Sequence, residues 1–231
     1  MTLFRCPLCE GPLSEDPAGL RCPRGHCFDR AREGYVNLLP VGQKHSKAPG
    51  DDKAMAAARR AFLDGGWYAP LRQALKALAV ELTGPAPAVL DAGCGEGYYT
   101  QGIGEALLAA GKTPRMAGVD ISKFSVRLAA RRYPGLELAV ASVYHLPVAD
   151  RSVDLLLNVF SPLAIDEFNG PRGDFYKNMF ANCPAGRPGT ADEVANVAEL
   201  LMGDRGAFIT GTDVLIDGGA TASYFYGPLR P

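Results

Sequence analysis

Three cysteines and a histidine at the start of the chain constrain its fold most. Cys6 and Cys9 enclose two residues, and Cys22 and His26 follow after a gap of twelve. Two short ligand pairs at such a spacing are typical of proteins that bind one tetrahedral zinc ion. We therefore predict a structural zinc site formed by these four residues.

Buried thiols or a disulfide are the alternatives to zinc. A disulfide is disfavoured because residues 2–5 lead directly into the first ligand pair, without the pattern of a secretory signal. Cys27, next to His26, is a spare thiol that competes with it as a ligand. His26 remains the better candidate.

Length and charge set further bounds. The chain has 231 residues and a net charge of -1, so any contact with nucleic acid must come from local basic patches. No apolar run approaches the roughly 20 residues of a membrane span. Free thiols and metal ligands favour the reducing cytoplasm as the location.

A zinc module is predicted for residues 1–40, because this segment is too poor in apolar residues to bury a core without a metal. Residues 41–82 form a linker and a helical cover, with one helix starting at Lys53 and another over residues 68–82. Basic residues in this part are either a solvated face or contacts to an RNA backbone. The candidates for RNA binding are Lys44, Lys47, Arg59 and Arg60, accompanied by His45 and Lys53.

A glycine-rich loop follows the buried strand pattern at residues 88–90. The loop, residues 91–100, has the sequence Asp-Ala-Gly-Cys-Gly-Glu-Gly-Tyr-Tyr-Thr, and a helix follows it to about residue 110. Glycines there let the backbone turn sharply and approach a ligand. The next strand, residues 115–119, ends in Asp120, whose carboxylate is placed to accept both hydroxyls of a ribose.

The spacing of the loop favours S-adenosylmethionine (SAM) over a nicotinamide cofactor. The nicotinamide fingerprint requires a third glycine at position 98, where this chain has Tyr98. Third and fourth strands, over residues 136–140 and 153–160, bring further polar residues to the same sheet edge. The predicted SAM-binding residues are Asp91, Gly93, Gly95, Gly97, Tyr98, Tyr99, Asp120, Ser142 and Asn158.

Alternating strands and helices predict an α/β fold with a Rossmann-like, doubly wound parallel sheet behind the small zinc module. The helix over residues 123–132 is one of its covers. We expect about five strands, and the family resemblance given below implies the order 3-2-1-4 for the first four of them.

Residues 1 to about 165 resemble the zinc-containing 23S ribosomal RNA (guanine-N1)-methyltransferases, a family that includes macrolide-resistance enzymes of the tylosin type. The resemblance covers the four metal ligands, the glycine loop and three further blocks, at residues 33–40, 49–52 and 58–63. It implies SAM-dependent methylation of guanine N1, with zinc-assisted docking on a ribosomal RNA hairpin.

The C-terminal part follows a different pattern. Residues 185–195 and 207–219 resemble the end of a short-chain dehydrogenase/reductase, with its last large helix, last strand and Asp-Gly-Gly turn. The crossover lies near residues 161–168. We therefore interpret the chain as a chimera, engineered or recombined, with a methyltransferase core over residues 83–165 and a reductase-like part over residues 166–231. A helix over residues 191–201 and a strand over residues 213–216 are expected to extend the sheet beside the fourth strand; a natural methyltransferase with a divergent tail is the alternative.

Three functional hypotheses follow. The chain is an rRNA methyltransferase, weakened or inactive because its RNA-facing part is replaced; or a scaffold that binds SAM and zinc without turnover; or, least favoured, an NAD(P)-dependent oxidoreductase. Reductases use a Tyr-x-x-x-Lys pair, and no tyrosine of this chain has lysine four residues later. The base that removes the guanine N1 proton is unknown, with Asp166 and Glu167 as weak candidates. The reductase-like tail also allows a homodimer.

Overall fold

The computed structural model of the chain describes residues 2–43, 49–162, 164, 183–187, 189–209 and 214–219. The chain divides into two compact units, Met1–Glu167 and Phe168–Pro231. None of the helices in the described ranges is long and apolar enough to cross a membrane.

The first unit begins with the ligand pair Cys6 and Cys9, which a small antiparallel sheet follows. Its strands are β1 (Ser14–Asp16), β2 (Gly19–Arg21) and β3 (Cys27–Asp29), hydrogen-bonded in that order. The segment before β1 is fixed to the rest of the unit, since the Thr2 hydroxyl donates to Glu137 at 2.7 Å and the Arg5 N–H donates to the carbonyl of Pro147 at 2.7 Å.

A five-stranded parallel sheet forms the centre of the first unit. Its strands are β4 (Val36–Asn37), β5 (Ala88–Ala92), β6 (Arg115–Asp120), β7 (Glu137–Val140) and β8 (Leu155–Leu157). They lie in the order β4-β7-β6-β5-β8. Apart from β4, this is the predicted order 3-2-1-4.

The fifth strand differs from the prediction. It is β4, which follows the cysteine pairs and adds to β7 in parallel, with Val36 opposite Ala139. Val214, Leu215 and Ile216, which the sequence assigned to the fifth strand, lie outside any strand and are exposed, while residue 213 lies outside the described residues. β4 lies at the opposite edge of the sheet from β8, beside which the fifth strand was predicted, and Val36 and Leu38 are fully buried there.

Four helices belong to the first unit: α1 (Lys53–Asp64), α2 (Ala69–Leu82), α3 (Tyr98–Ala109) and α4 (Lys123–Arg132). Side-chain caps start two of them. The Asp52 carboxylate accepts from the Met55 N–H at 2.8 Å, and the Ser122 hydroxyl accepts from the Ser125 N–H at 3.2 Å. Each cap satisfies a backbone donor that has no partner within the helix.

Every residue of β5 is buried, as expected for a central parallel strand. Val126 of α4 packs against Leu138 of β7, and Ile103 of α3 packs against Val89 of β5. The parallel register of β5, β6 and β7 places Val89 and Leu138 on the same face of the sheet, so α3 and α4 cover one face. The carboxyl ends of β5 to β8 consequently meet at one edge of the sheet, where the predicted cofactor residues lie.

The second unit contains α5 (Ala191–Met202), one residue longer than predicted. A capping box starts the helix, because the Thr190 hydroxyl accepts from the Glu193 N–H and the Glu193 carboxylate accepts from the Thr190 N–H. The predicted Asp-Gly-Gly turn is present at residues 217–219, with Gly218 and Gly219 at φ of 62° and 88°. The Ala185 N–H donates to the carbonyl of Gly218 at 3.1 Å.

Candidate cofactor site and metal centre

The loop between β5 and α3 is built from three glycines in the left-handed region. Gly93, Gly95 and Gly97 have φ of 93°, 55° and 84°. The N–H groups of Gly93 and Cys94 both donate to the carbonyl of Val119 in β6, at 2.8 and 2.9 Å. The loop is thereby fixed across the ends of β5 and β6, in a conformation that residues with a Cβ rarely adopt.

Close approach explains one of these glycines. A Cβ added to Gly93 would lie 2.0 Å from the Ser161 hydroxyl oxygen, in the segment that follows β8. Asn158 holds that segment in place, because its side-chain nitrogen donates to the carbonyls of Ala92 and Pro162, at 3.1 and 3.2 Å. The amide nitrogen of Asn158 therefore has a structural role, while its side-chain oxygen accepts no hydrogen bond from the described residues.

Two acidic residues stand at the ends of the neighbouring strands, as predicted. Asp91 of β5 is buried and accepts a hydrogen bond from the Thr100 hydroxyl at 2.6 Å. Burial is the main cause that raises the pKa of Asp91 to about 7. The hydrogen bond from Thr100 opposes this rise, and the negative charge of Asp120 adds to it. Asp91 thus stabilises the start of α3 from beneath the loop.

Asp120 has a different environment. Its two oxygens accept from the backbone N–H groups of Gly95 and Ser122, at 2.9 and 2.7 Å. Burial raises the pKa of Asp120, and the two backbone donors oppose this effect. Each carboxylate oxygen keeps a free acceptor position, so both remain able to accept the hydroxyls of a ribose.

The loop fits a nucleoside cofactor in two further respects. A Cβ at Gly95 would meet nothing within 4 Å, so the loop has open space at its middle. The hydroxyl of Tyr99 is buried and has no hydrogen-bond partner within the described residues. Ser142, after β7, is also buried at this edge, and its hydroxyl accepts from the Tyr144 N–H at 3.2 Å.

A buried acid in the loop was missed by the sequence analysis. Glu96 is only 2% exposed, and its Oε2 lies 3.3 Å from Nη1 of Arg132 at the end of α4. Nη2 of Arg132 contacts Asp64, the last residue of α1, at 2.8 Å. A glutamate between two loop glycines was the only sign in the sequence, and it does not indicate a partner 36 residues away.

The four predicted zinc ligands come together in the N-terminal part of the first unit. Their ligand atoms all lie within 4.8 Å of one another. Sγ of Cys9 is 3.7 Å from Sγ of Cys22, and Nδ1 of His26 is 3.3 Å from Sγ of Cys6 and 3.4 Å from Sγ of Cys22. Cys27 points elsewhere, with its exposed thiol 3.3 Å from the Gly25 carbonyl.

These separations match a tetrahedral zinc site. Zinc–sulfur and zinc–nitrogen bonds of ordinary length place two sulfurs about 3.8 Å apart, and a sulfur and a nitrogen about 3.5 Å apart. The residues present therefore fit the ion. Three sulfurs and one imidazole leave no open coordination position, which is the pattern of a structural site.

The thiols differ in acidity without a metal. Burial raises the pKa of Cys6 to about 11. Burial acts in the same direction on Cys22, but backbone N–H groups of His26 and Arg24 and the neighbouring thiols outweigh it and lower the pKa to about 7. Because zinc binds the thiolate form, loading of the site releases protons.

The candidate RNA-binding residues are only partly described. Lys44 and Lys47, with His45, lie outside the described residues, as do the catalytic candidates Asp166 and Glu167. Arg59 pairs with Asp51 at 2.8 Å, and Arg60 lies 3.7 Å from Asp64. All of these assignments stay predictions.

The segment before α1 packs on the cofactor edge. The Ser122 hydroxyl donates to the carbonyl of Asp51 at 2.6 Å, and Gly50, at φ of 77°, approaches Ile121 and Ser122 so closely that a Cβ would meet them at 2.9 Å. Arg59 and Asp51 are therefore fixed beside the end of β6, next to Asp120.

Comparison with protein families agrees with this division of the chain. Residues 4–47 match the zinc-ribbon family described as RlmA, N-terminal, and residues 89–181 match a methyltransferase domain. Residues 158–221 match the enoyl-(acyl carrier protein) reductase family. The predicted cofactors, SAM and zinc, are thereby confirmed at the level of these two domains, a methyltransferase domain and a zinc ribbon.

Individual relatives repeat the pattern. The 23S rRNA (guanine(748)-N(1))-methyltransferase of Streptomyces fradiae is 42% identical over 162 residues, 69% of this chain and 55% of the relative. A short-chain dehydrogenase/reductase of Alternaria brassicicola is 39% identical over 72 residues, 29% of this chain and 26% of the relative. A D-threitol dehydrogenase of Mycolicibacterium smegmatis is 41% identical over 27% of this chain and 23% of its own length.

The matches to the methyltransferases are the more extensive. The chain spans 55–60% of the length of three 23S rRNA (guanine-N1)-methyltransferases that it matches. Identity to them is 34–42%. Over 69–73% of its length, this chain is therefore similar in sequence to 23S rRNA (guanine-N1)-methyltransferases.

Proposed function

We propose that this chain is a SAM-dependent RNA methyltransferase that acts on guanine N1 in a hairpin of 23S rRNA. One observation carries the proposal. A cluster of three cysteines and one histidine with zinc geometry, and a glycine loop between two acidic strand ends, occur in one compact unit. Matches to a zinc-ribbon family over residues 4–47 and to a methyltransferase domain over residues 89–181 support the two features separately. A zinc ribbon alone or a glycine loop alone would fit many other activities.

The cofactor is assigned to the loop and its flanking acids. Asp120 is the acceptor for the ribose hydroxyls, while Gly93, Gly95 and Gly97 let the backbone approach the ligand, and Asp91 supports the loop from below. Tyr98, Tyr99, Ser142 and Asn158 complete the predicted set. When bound, SAM supplies an electrophilic methyl group on a good leaving group, so the protein's main task is positioning.

Guanine N1 carries a proton at neutral pH, which must leave as the N–C bond forms. The segment after β8 starts beside the loop, since Ser161 adjoins Gly93. A base in that segment would therefore lie near the target, and Asp166 and Glu167 remain its candidates. The target base must be unstacked to reach the methyl group, which an unpaired loop nucleotide does most easily.

RNA docking is assigned to the zinc ribbon and to the basic residues around α1. The zinc ribbon is rigid because a closed metal site fixes two short knuckles. Arg59 and Arg60 lie on α1 in exposed or half-exposed ion pairs, which contribute little to stability and can be exchanged for phosphate contacts. Lys44 and Lys47 complete this predicted set.

A scaffold that binds SAM and zinc without turnover is the second candidate. The observation that favours it is the C-terminal part, where the chain matches reductases. We further propose that the chain is a chimera with its junction near residues 161–168. The family matches overlap over residues 158–181, and the boundary between the two compact units falls at residues 167 and 168.

An oxidoreductase is the weakest alternative. Position 98 of the loop holds a buried tyrosine in place of the glycine that nicotinamide sites require. A cytoplasmic location follows from the proposed rRNA substrate. A role in macrolide resistance and a homodimer remain predictions of the sequence analysis.

Two measurements test the proposal. Calorimetry with SAM measures binding, and transfer of a labelled methyl group to a 23S rRNA hairpin, with mass spectrometry of the nucleosides, measures turnover and identifies 1-methylguanosine. Binding with transfer supports the methyltransferase. Binding without transfer favours the scaffold, and absence of SAM binding contradicts both. An RNA hairpin whose unpaired guanines are replaced by adenines is the matched control.

A further inference from the structure

Five aromatic side chains form a continuous row from α1 to the glycine loop. Ring centroids are 5.6 Å apart for Phe62 and Tyr68, 5.3 Å for Tyr68 and Phe160, 6.4 Å for Phe160 and Tyr99, and 5.0 Å for Tyr99 and Tyr98. We call these five residues the aromatic row. Its inner end, Tyr98 and Tyr99, is buried at the start of α3.

Two rings of the aromatic row are open to solvent. Phe62 is 51% exposed and Phe160 is 68% exposed, although both are large and apolar. A phenylalanine placed for core packing would be covered. The faces of these rings are therefore available to a ligand.

Phe160 is also held in an unfavourable backbone conformation. Its φ of 54° lies in the left-handed region, which is rare for a bulky residue. Asn158 fixes the chain on both sides of it through the carbonyls of Ala92 and Pro162. Strain at an exposed residue that the surroundings enforce is characteristic of functional sites.

The position of Phe160 connects the row to the cofactor edge. It lies between Asn158, at the end of β8, and Ser161, which approaches Gly93 of the loop. On its inner side Phe160 contacts Tyr99, whose buried hydroxyl has no partner within the described residues. A flat ligand on the exposed face of Phe160 would therefore adjoin the loop.

The surroundings of the outer end suit an anionic ligand. Arg59, three residues before Phe62 and therefore on the same side of α1, pairs with Asp51 at 2.8 Å and is half-exposed. Such a pair contributes little to stability and is screened by salt. Arg59 can therefore turn to a phosphate while the rings take a base, the combination found in proteins that bind single-stranded nucleic acid.

We propose that the exposed ring of Phe160 is the stacking site for the unpaired purine that is methylated, with the half-buried ring of Tyr68 beside it, and that Phe62 marks its entrance. This inference rests on the proposed function and names the residues that select an unstacked base. Every base has a π-face, so stacking provides affinity, while contacts to the base edge provide specificity.

Binding without turnover tests the inference most directly. The probes are a single-stranded RNA heptamer with one central guanine between uridines and the same heptamer with an abasic site at the centre. Both are titrated into the full-length chain with zinc and S-adenosylhomocysteine present. The wild type should prefer the guanine probe by roughly 5–100-fold, the range expected for one stacked base.

Three variants test whether the aromatic row is the cause of this preference. Phe160→Leu keeps an apolar side chain but removes the aromatic face, and should reduce the preference to less than about threefold. Phe160→Tyr keeps the face and should retain it. Trp67→Leu removes an aromatic residue that is 74% exposed but is not part of the row, and should leave the preference unchanged.

The outcomes separate this inference from the proposed function. If Phe160→Leu loses the guanine preference, and neither the wild type nor any variant methylates RNA, the stacking site is supported and the proposed activity is contradicted. If the wild type has no guanine preference, or Phe160→Leu retains it, the stacking site is wrong even when methyl transfer is observed. If Phe160→Tyr loses the preference together with Phe160→Leu, the ring has only a structural role, which also overturns the inference.

Discussion

The guanidinium of Arg132 lies 3.3 Å from the carboxylate of Glu96, which is buried between two glycines of the cofactor loop. Arg132 simultaneously pairs with Asp64 at the end of α1. Glu96 Oε1 has no hydrogen-bond partner within the described residues, and burial raises the pKa of this carboxyl. The loop is therefore connected to α1 through one partly exposed arginine.

Removal of Arg132 should leave the buried Glu96 without its hydrogen-bonded counter-charge. We expect Arg132→Met to lower the free energy of unfolding by about 2–4 kcal/mol, toward the lower end of losses from broken buried pairs because Arg132 is partly exposed. Urea denaturation measures the loss. Glu96→Gln in the same background should restore part of it, since it removes the unpaired charge.

Arg131→Met is the matched control for this pair. Arg131 is the neighbouring residue on α4, is half-exposed, and pairs with Glu33 at 3.1 Å. Its loss should cost less than about 1 kcal/mol. Equal losses for the two arginines would contradict a special role for the pair of Arg132 and Glu96.

Asp91 predicts a pH dependence of stability. Its pKa is raised from 3.8 to about 7, chiefly by burial and also by the charge of Asp120, against the hydrogen bond from Thr100. Between about pH 4 and 7 the folded protein therefore binds more protons than the unfolded chain, so the free energy of unfolding falls as pH rises through this window. The contribution of Asp91 to this fall is at most about 4 kcal/mol.

Asp91→Asn should make this fall less steep in the cofactor-free protein. Urea denaturation at pH 5 and pH 7.5 compares the slopes of wild type and variant. Asp150→Asn, which changes an exposed carboxylate in the turn before β8, is the control and should keep the wild-type slope. A slope that Asp91→Asn does not alter would show that this carboxyl does not titrate as expected.

Gly93 and Gly111 separate close approach from backbone strain. Both have a left-handed φ, 93° and 76°, but a Cβ would meet Ser161 at Gly93 and nothing within 4 Å at Gly111. Gly111→Ala should cost about 1–2 kcal/mol and leave SAM binding intact. Gly93→Ala should cost about 2–5 kcal/mol, because overlap is added to strain, and should abolish SAM binding measured by calorimetry.

Much of this architecture could be predicted from the sequence because the signals are local. The glycine loop, its acidic neighbours and the strand pattern predicted the parallel α/β fold, the family resemblance supplied the order of four strands, and ligand spacing predicted the zinc cluster. Strand β4 was missed because a pairing of only Val36 and Asn37 leaves no alternating pattern. Val214 to Ile216 have the composition of a strand, but composition does not supply a pairing partner.

Long-range pairs explain what else was missed. Glu96 and Arg132 meet because α4 ends beside the loop, and Phe160 reaches Tyr68 because β8 ends close to the place where α2 begins. No local sequence pattern indicates either of these contacts. Arginines and aromatics are common on exposed helices, so only the fold identifies these as neighbours of the cofactor loop.

Asp120 is expected to contribute directly to cofactor affinity. Asp120→Ala removes two charge-assisted acceptors for ribose hydroxyls, and should weaken SAM binding by about 1–3 kcal/mol, roughly 5–150-fold. Calorimetry measures this change, and Asp150→Ala is the control. Because Asp120 also accepts from Gly95 and Ser122, Asp120→Asn should have a smaller effect. An unaltered isotherm for Asp120→Ala would remove this residue from the site.

The zinc cluster provides a prediction with an internal control, because Cys22 and Cys27 lie in the same short sheet region and only Cys22 faces the other ligands. Cys22→Ala should reduce the bound zinc from about one equivalent to nearly none. Since the binding free energy of a structural zinc is on the order of 10 kcal/mol and is coupled to folding, the N-terminal segment should also lose order. Metal analysis and hydrogen exchange of residues 6–29 measure these effects. Cys27→Ala should keep both zinc and protection, and unchanged zinc in Cys22→Ala would contradict the proposed ligand set.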